Sequence, residues 1–270
     1  MYADWPLLSL VIWAPILGGV LVLLVGDKKP AVARGVALLI SILTFLLTLP
    51  LYSQFNADTH LMQFVERHSW IPVFNIEYFI GIDGISMPLI LLTSFTTVVV
   101  VISAWEIIQY RVAQYMAAFL IMEGFMIGTF SSLNAILFYI FFEAMLIPMF
   151  LVIGIWGGDN RIYATLKFFL YTFIGSVLML VALIYMYNRT GSFAIFDFHH
   201  LPLSLTEQIL IFIAFLVAFA VLGVFPGCRN NYILAVTVGM VFAALYALVS
   251  GFGIPARRAV VMLLVAALAS

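Results

Sequence analysis

The chain consists mainly of apolar runs that are separated by short polar connections. A helix that crosses a lipid bilayer needs about 20 consecutive, mostly apolar residues. Runs of this kind fall at about residues 6–26, 32–51, 85–108, 114–131, 134–156, 162–187, 207–226 and 231–252. The pattern therefore predicts an all-α fold, a polytopic transmembrane bundle of about eight spanning helices.

The longest connection between these runs, at about residues 52–84, mixes apolar and charged positions, among them Glu66 and Arg67. Trp70 and Tyr78 lie in the same stretch, and such aromatic residues are enriched at the surfaces of membranes. We expect an amphipathic loop that rests against the membrane surface.

Composition excludes a soluble globular domain. Of all residues 66% are hydrophobic and 9% are charged, with a mean hydropathy of +1.22, whereas globular chains carry about 25% charge. The formal net charge is −1 without any basic block, so no nucleic-acid partner is predicted. The single cysteine, Cys228, excludes an internal disulfide and argues against a cysteine-ligated metal centre. We predict no cofactor and no metal, and the lipid bilayer as the surrounding partner.

Basic residues predict the orientation in the membrane. Cytoplasmic connections carry an excess of lysine and arginine, so the first connection is expected inside and the amino terminus outside. An arginine pair near the carboxyl end opposes this rule. Asp4 stands where a cleaved signal peptide would be basic, so we expect the first run to be retained. The basic residues on the predicted inner side are Lys28, Lys29, Arg34, Arg111 and Arg161.

One predicted span, Phe138–Trp156, carries a carboxylate near its middle, Glu143. An ionised group at this depth costs at least about 2.5 kcal/mol and commonly marks an ion or proton pathway. Pro148 cannot donate a hydrogen bond to the carbonyl of Ala144, which adds a free polar group beside the acid. Glu143 is therefore a functional candidate; the alternative is a neutral glutamate that only hydrogen-bonds a neighbouring helix.

Two further ionisable residues lie in predicted spans. Glu123 falls near the middle of the fourth run, so the same default points to function. Lys167 lies about one and a half turns into the sixth run from its predicted cytoplasmic end, where it can either extend to the interface or line a polar passage together with Tyr171, four residues on. Gly124-x-x-x-Gly128 permits close helix contact in the fourth run.

Four spaced motifs stand out along the chain: Tyr78–Pro88 (YFIGIDGISMP), Phe141–Phe150 (FFEAMLIPMF), Gly154–Gly158 (GIWGG) and Lys167–Leu180 (KFFLYTFIGSVLML). In this order they resemble the subunit M/chain 4 family of NADH:quinone oxidoreductases, the respiratory complex I enzymes. Together they extend the resemblance over about residues 1–221.

The resemblance implies an antiporter-like membrane subunit that translocates protons, while other subunits of the complex oxidise NADH and reduce quinone. Such a subunit is a non-redox part of the enzyme, binds neither NADH nor a cofactor, and contacts other membrane subunits in the bacterial cytoplasmic membrane. In the family, the glutamate of Phe-Phe-Glu-Ala-Met belongs to the proton pathway, which corresponds to Glu143. The family also has a conserved lysine in the sixth helix, just before Phe-Phe-Leu-Tyr-Thr, and this lysine corresponds to Lys167.

The sequence then departs from the family motifs. Phe219–Val221 is followed by Leu222-Gly-Val-Phe-Pro, without the lysine that pairs with the fifth-helix glutamate in the family, and without the second half of the family fold. We expect residues 1–221 to form an antiporter-like membrane domain and residues 222–270 a divergent apolar tail with about one further span. A subunit of a cation/proton antiporter complex and a truncated, non-pumping fragment are the alternatives.

Overall fold

A computed structural model describes residues 6–59 and 61–223. Six of its helices are long and apolar enough to cross a membrane. The first six predicted spans are confirmed to within a few residues. The seventh coincides with helix α8, and the eighth lies outside the described residues. The helices are α1 Leu7–Val25, α2 Pro30–Ser53, α3 Ser86–Ile107, α4 Val112–Ser131, α5 Ala135–Trp156, α6 Arg161–Thr190, the single turn α7 Ile195–Phe198, and α8 Leu205–Gly223.

The chain divides into two compact units. Of the described residues, one unit contains those up to residue 169 together with residues 180–205, and the other contains residues 170–179 and 206–223. The predicted division after residue 221 stays a prediction, because residues 224–270 lie outside the part that the structure describes.

A β-hairpin replaces the amphipathic loop that we predicted for residues 52–84, so that expectation was wrong for most of the stretch. Strand β1, Gln63–Ile71, pairs antiparallel with strand β2, Ile76–Ile82. Asn75 closes the turn with a left-handed backbone, φ 51°. Most side chains of β2 are buried or half-buried. The hydropathy pattern did not indicate this strand, because so short an apolar segment is far below the roughly 20 residues of a membrane span.

Glu66 of β1 joins the hairpin to the start of α1 by hydrogen bonds, and only 7% of its surface is exposed. Its carboxylate accepts hydrogen bonds from the backbone N–H groups of Leu8 (2.9 Å) and Ser9 (3.1 Å), and another from the Ser9 hydroxyl. These bonds satisfy N–H groups that the first turn of a helix cannot satisfy itself. The hydroxyl of Tyr78 lies 3.0 Å from that of Ser9, and burial raises the pKa of this phenol. The hairpin therefore defines one end of the bundle, hereafter the hairpin end.

Side chains also cap helices at the opposite end, hereafter the far end. Asp27 accepts a hydrogen bond from the N–H of Ala113 at the start of α4, at 2.8 Å. Arg34 donates to the carbonyl of Ile108, just after α3, at 2.8 Å. An acid at a helix start and a base at a helix end both match the helix dipole. Short connections between helices are therefore held in place at this end.

Glycines allow α4 to approach its neighbours closely, as the Gly124-x-x-x-Gly128 motif predicted. A Cβ atom at Gly124 would lie 2.4 Å from Cγ1 of Ile16 and 2.6 Å from the carbonyl oxygen of Ile12, both on α1. At Gly128 it would lie 2.8 Å from the Phe141 ring on α5. Helix α4 thus packs directly against α1 and α5, and it carries one of the candidate site residues.

Candidate functional site

Glu143 lies on α5, in a helix whose start is fixed by Asn134. The Asn134 side chain accepts hydrogen bonds from the N–H groups of Ile136 (3.1 Å) and Leu137 (3.2 Å), as a helix cap should. The helix runs without interruption through Pro148. Oε1 of Glu143 is buried and has no hydrogen-bond partner among the described residues. The carboxyl group thus has unused hydrogen-bonding capacity beside a proline that interrupts the hydrogen-bond ladder of the helix.

The face of α5 that carries Glu143 is turned towards α6. Phe150 and Gly154 follow Glu143 by seven and eleven residues, about two and three helical turns, so all three share a face. The Phe150 ring packs at 5.5 Å on Phe169 of α6. A Cβ atom at Gly154 would lie 3.6 Å from the Thr165 side chain. The face of α5 that carries Glu143 therefore packs, two to three turns further along, against the first turns of α6.

Lys167 leaves α6 on a different side. It is two residues from both Thr165 and Phe169, which is about 200° around the helix from each. Its ammonium group lies 5.6 Å from the centre of the Tyr163 ring, a cation–π contact. The structure therefore does not place Lys167 on the face of α6 that packs against α5. The predicted passage along Lys167 and Tyr171 stays a prediction.

Glu123 is the most deeply buried acid among the described residues, with 1% of its surface exposed. Neither of its carboxyl oxygens has a hydrogen-bond partner there. It follows Met116 and Leu120 on the same side of α4, and both pack in one hydrophobic cluster with residues of α2 and α3. Glu123 is therefore directed to the α2 and α3 side of its helix.

Polar residues around this position form a layer between two hydrophobic clusters. The far cluster includes Ala33, Ala37, Ile40, Val101, Ala104, Met116 and Leu120. The hairpin cluster includes Leu51, Ile90 and Ile127, together with residues of α1, β2 and α5. On each of α2, α3 and α4 the residues between the two clusters include buried polar ones. We call this set the polar layer: Thr44 and Thr48 on α2, Ser94 and Thr97 on α3, and Glu123 on α4.

The structure does not bring the three predicted site residues into one cluster. Helix α5 contacts α4 through Phe125 and Gly128, and Glu123 lies about 200° and 140° around the helix from these two residues. Glu123 thus faces α2 and α3, whereas Glu143 lies on the face of α5 that meets the first turns of α6 further along. Within the described part of the chain, no group of three or more histidine, cysteine or acidic residues is arranged to hold a metal ion.

Sequence reasoning missed the hydroxyl groups of the polar layer. Thr44 and Thr48 are spaced by four residues inside an apolar run, a signal that was available. Serine and threonine are common in membrane helices, where they also bond their own backbone. Only the packing of three helices shows that these hydroxyl groups share a level with Glu123.

Comparison with known proteins identifies the family. The family model described as NADH:quinone oxidoreductase/Mrp antiporter, TM, matches residues 132–268. The model for the amino terminus of NADH-ubiquinone oxidoreductase chain 4 matches residues 20–132. The similarity thus extends past residue 221, where the motifs predicted that it ends.

Curated relatives carry the same assignment. NADH-quinone oxidoreductase subunit M of Rickettsia typhi is 42% identical over 257 residues, which cover 89% of this chain and 51% of the relative. Subunit M of Rhodobacter capsulatus is 42% identical over 269 residues, covering 92% and 52%. The chain thus spans about half the length of these relatives.

Solved structures share the fold. A chain of respiratory complex I from Thermus thermophilus superposes with a TM-score of 0.69 and 28% identity, over 79% of this chain and 43% of that one. A chain of the Mrp complex from Dietzia superposes with a TM-score of 0.70 at 16% identity, over 81% and 24%, which shows the fold alone. With a family model matching half of its length, this chain belongs to the NADH:quinone oxidoreductase/Mrp antiporter transmembrane family.

Proposed function

We propose that this chain is a membrane subunit of a proton-pumping NADH:quinone oxidoreductase and that Glu143 carries protons along part of the translocation path. One observation carries the proposal: in a chain about 40% identical to subunit M proteins, a membrane helix holds a carboxyl group with a buried, unpartnered oxygen one turn before a proline. Intramembrane acids of this kind are expensive to keep and characteristic of proton relays.

The surroundings of Glu143 suit a group that changes its protonation. Its Oε1 is buried without a hydrogen-bond partner among the described residues, so water that reaches this atom can bond to it. Because Pro148 lacks an N–H group, the Ala144 carbonyl remains free to accept a hydrogen bond from water. In this proposal Glu143 exchanges its proton with water that reaches this part of the helix. Glu123 and Lys167 are proposed to assist the relay from other helix faces.

The oxidation of NADH and the reduction of quinone belong, in this proposal, to other subunits. Conformational or electrostatic coupling from those subunits would drive the change around Glu143. This chain then needs no cofactor of its own, and its lateral partners are other membrane subunits of the complex.

The proposed location is the bacterial cytoplasmic membrane, with the amino terminus outside. At the far end, basic side chains lie in or just beside the connections α1–α2, α3–α4 and α5–α6. Such an excess is typical of the cytoplasmic side. The residues concerned are Lys28, Lys29, Arg34, Arg111 and Arg161.

A cation/proton antiporter complex is the second candidate. The family description itself covers Mrp antiporters, and the fold matches a chain of an Mrp complex. The two functions differ in what drives transport: NADH oxidation in the first, an existing ion gradient in the second.

The test is Glu143→Gln, compared with Asp159→Asn as a matched control on an exposed loop. Both variants are introduced into the assembled complex, and NADH-driven proton uptake is measured in inverted membrane vesicles with assembly checked on native gels. We expect Glu143→Gln to assemble and to lose most proton uptake, because the amide cannot exchange a proton, whereas Asp159→Asn behaves as wild type. Full proton uptake by an assembled Glu143→Gln complex would refute the proposal. Uptake driven by a sodium gradient without NADH would favour the antiporter.

A further inference from the structure

The polar layer has a feature that packing alone does not explain: it presents hydrogen-bond acceptors and lacks donors. Thr44 donates its hydroxyl proton to the carbonyl of Ile40 (3.0 Å), and Thr97 donates to the carbonyl of Thr93 (3.1 Å). Each hydroxyl has one proton to give and two lone pairs. The oxygen atoms that remain available to Glu123 are therefore acceptors.

Helix geometry brings these groups to one level. Thr44 lies one turn beyond Ile40 and two turns beyond Ala37, and Glu123 lies one turn beyond Leu120 in the parallel helix α4. On α3, which runs in the opposite direction, Thr97 lies one turn before Val101. All four apolar reference residues are members of the far cluster, so Thr44, Thr97 and Glu123 extend the same interface by one turn.

The next turn confirms the register. The hydroxyl groups of Thr48 and Ser94 lie 3.1 Å apart and join α2 to α3. One turn beyond this pair, Leu51 and Ile90 belong to the hairpin cluster, and on α4 Ile127, one turn beyond Glu123, belongs to it as well. Hydrophobic packing therefore closes the polar layer on both sides along the helix axes.

A carboxylate in such a layer would add two more acceptors and a buried charge, which is the costly arrangement. A protonated carboxyl group supplies one donor instead, and a water molecule supplies two donors and two acceptors. Water that accepts from Glu123 and donates to Thr44 and Thr97 would satisfy all three groups, and buried waters typically make about three such bonds.

We propose that the polar layer is a second proton-binding site, in which protonated Glu123 and a water molecule are held by the hydroxyl oxygens of Thr44 and Thr97. The site lies on the α2 and α3 side of α4, separate from the face of α5 that carries Glu143. It deepens the proposed function, on which its role in proton movement rests.

Among the described residues, Glu123 forms no hydrogen bond with another ionisable group. Helix α1 contains none. Arg34 is bonded at the far end, and Glu106 is exposed in the last turn of α3. The ionisable residues on elements packed against α4, including its own, are Arg34 and Tyr52 on α2, Glu106 on α3, Tyr115 on α4, Tyr139 and Glu143 on α5, and Glu77 and Tyr78 on β2.

Infrared spectra of the assembled complex, recorded without NADH and compared between wild type and variants, test the site directly. We expect a carbonyl band from a protonated carboxylic acid at neutral pH that is lost in Glu123→Gln and kept in Glu143→Gln. The double variant Thr44→Val with Thr97→Val removes both acceptors, so the band should move to higher frequency as its hydrogen bonding weakens. Thr96→Val, an exposed threonine that bonds its own helix in the same way, is the matched control and should leave the band in place.

Three results would overturn the proposal: no protonated-acid band at neutral pH, a band that persists in Glu123→Gln, or a band that the double valine variant does not move. If the double valine variant does not assemble, Thr44→Ser with Thr97→Ser takes its place. This variant keeps both acceptors, so its band should stay at the wild-type frequency, as that of Thr96→Val should. A shifted band in the double serine variant would count against the proposal. Because the band is recorded at rest, normal pumping by Glu143→Gln would refute the proposed function and leave this site intact.

Discussion

At the scale of single residues, two glutamates of the same chemical type occupy two different environments. Glu143 lies on the α5 face that meets α6 and is half-buried, while Glu123 is enclosed between α2, α3 and α4. The cost of placing an acid in a membrane marks both residues as candidates. Their neighbours then distinguish a proposed relay group from a proposed proton-binding site.

The close contact at Gly124 gives a residue-scale prediction. Gly124→Leu should destabilise the protein by about 1–3 kcal/mol or prevent assembly, because its side chain would meet Ile16 and the backbone of Ile12 on α1. Gly35→Leu on α2 is the control, since a Cβ atom there meets nothing within 4 Å. Thermal denaturation of the purified complex in detergent measures the difference. Equal denaturation midpoints for the two variants would show that α1 and α4 do not pack as described.

At the scale of elements, the β-hairpin binds the start of α1 through side-chain hydrogen bonds. Glu66 reaches from β1 to two N–H groups of the helix, and Tyr78 of β2 bonds the same serine. A carboxylate at a helix start also complements the helix dipole. The hairpin therefore contributes to the stability of the bundle and is more than a connection between α2 and α3.

Removing this cap should loosen the hairpin end. We expect Glu66→Leu to cost about 0.5–2 kcal/mol, as the loss of a helix cap does, and Glu66→Gln to cost less because the amide oxygen still accepts. Glu77→Gln removes the exposed ion pair with Arg67, and such pairs contribute about 0–1 kcal/mol. Limited proteolysis of the hairpin and thermal denaturation report the effect. A Glu77→Gln variant less stable than Glu66→Leu would contradict the assigned roles.

At the scale of the whole molecule, the two ends of the first compact unit differ in charge. The far end carries basic residues in its connections, whereas the hairpin end carries the Glu66 cap and an Arg67–Glu77 pair of opposite charges. This asymmetry underlies the proposed orientation with the amino terminus outside.

Cysteine labelling of intact cells tests that orientation. Asp58, at the hairpin end, and Asp159, at the far end, are both exposed and can each be replaced by cysteine in a Cys228→Ser background. The cells have a permeabilised outer barrier and an intact cytoplasmic membrane. A membrane-impermeant maleimide should label Asp58→Cys in these cells. It should label Asp159→Cys only after the cytoplasmic membrane is opened. The reverse pattern would invert the proposed topology.

The sequence by itself determined the membrane class, the first six spans and the acidic residues worth testing. These conclusions rest on local quantities, namely the length of apolar runs and the cost of a charge within them. The sequence motifs likewise pointed to the family that the comparisons established.

Only the tertiary structure decided which groups meet. In the structure residues 63–82 form a hairpin, Lys167 lies away from the side of α6 that packs against α5, and Glu123 lies on the side of α4 that faces α2 and α3. The physical reason is that hydropathy fixes how deep a residue lies in the bilayer, whereas the direction of its side chain relative to other helices depends on packing. At the polar layer, that packing is the basis on which we propose a proton-binding site at Glu123.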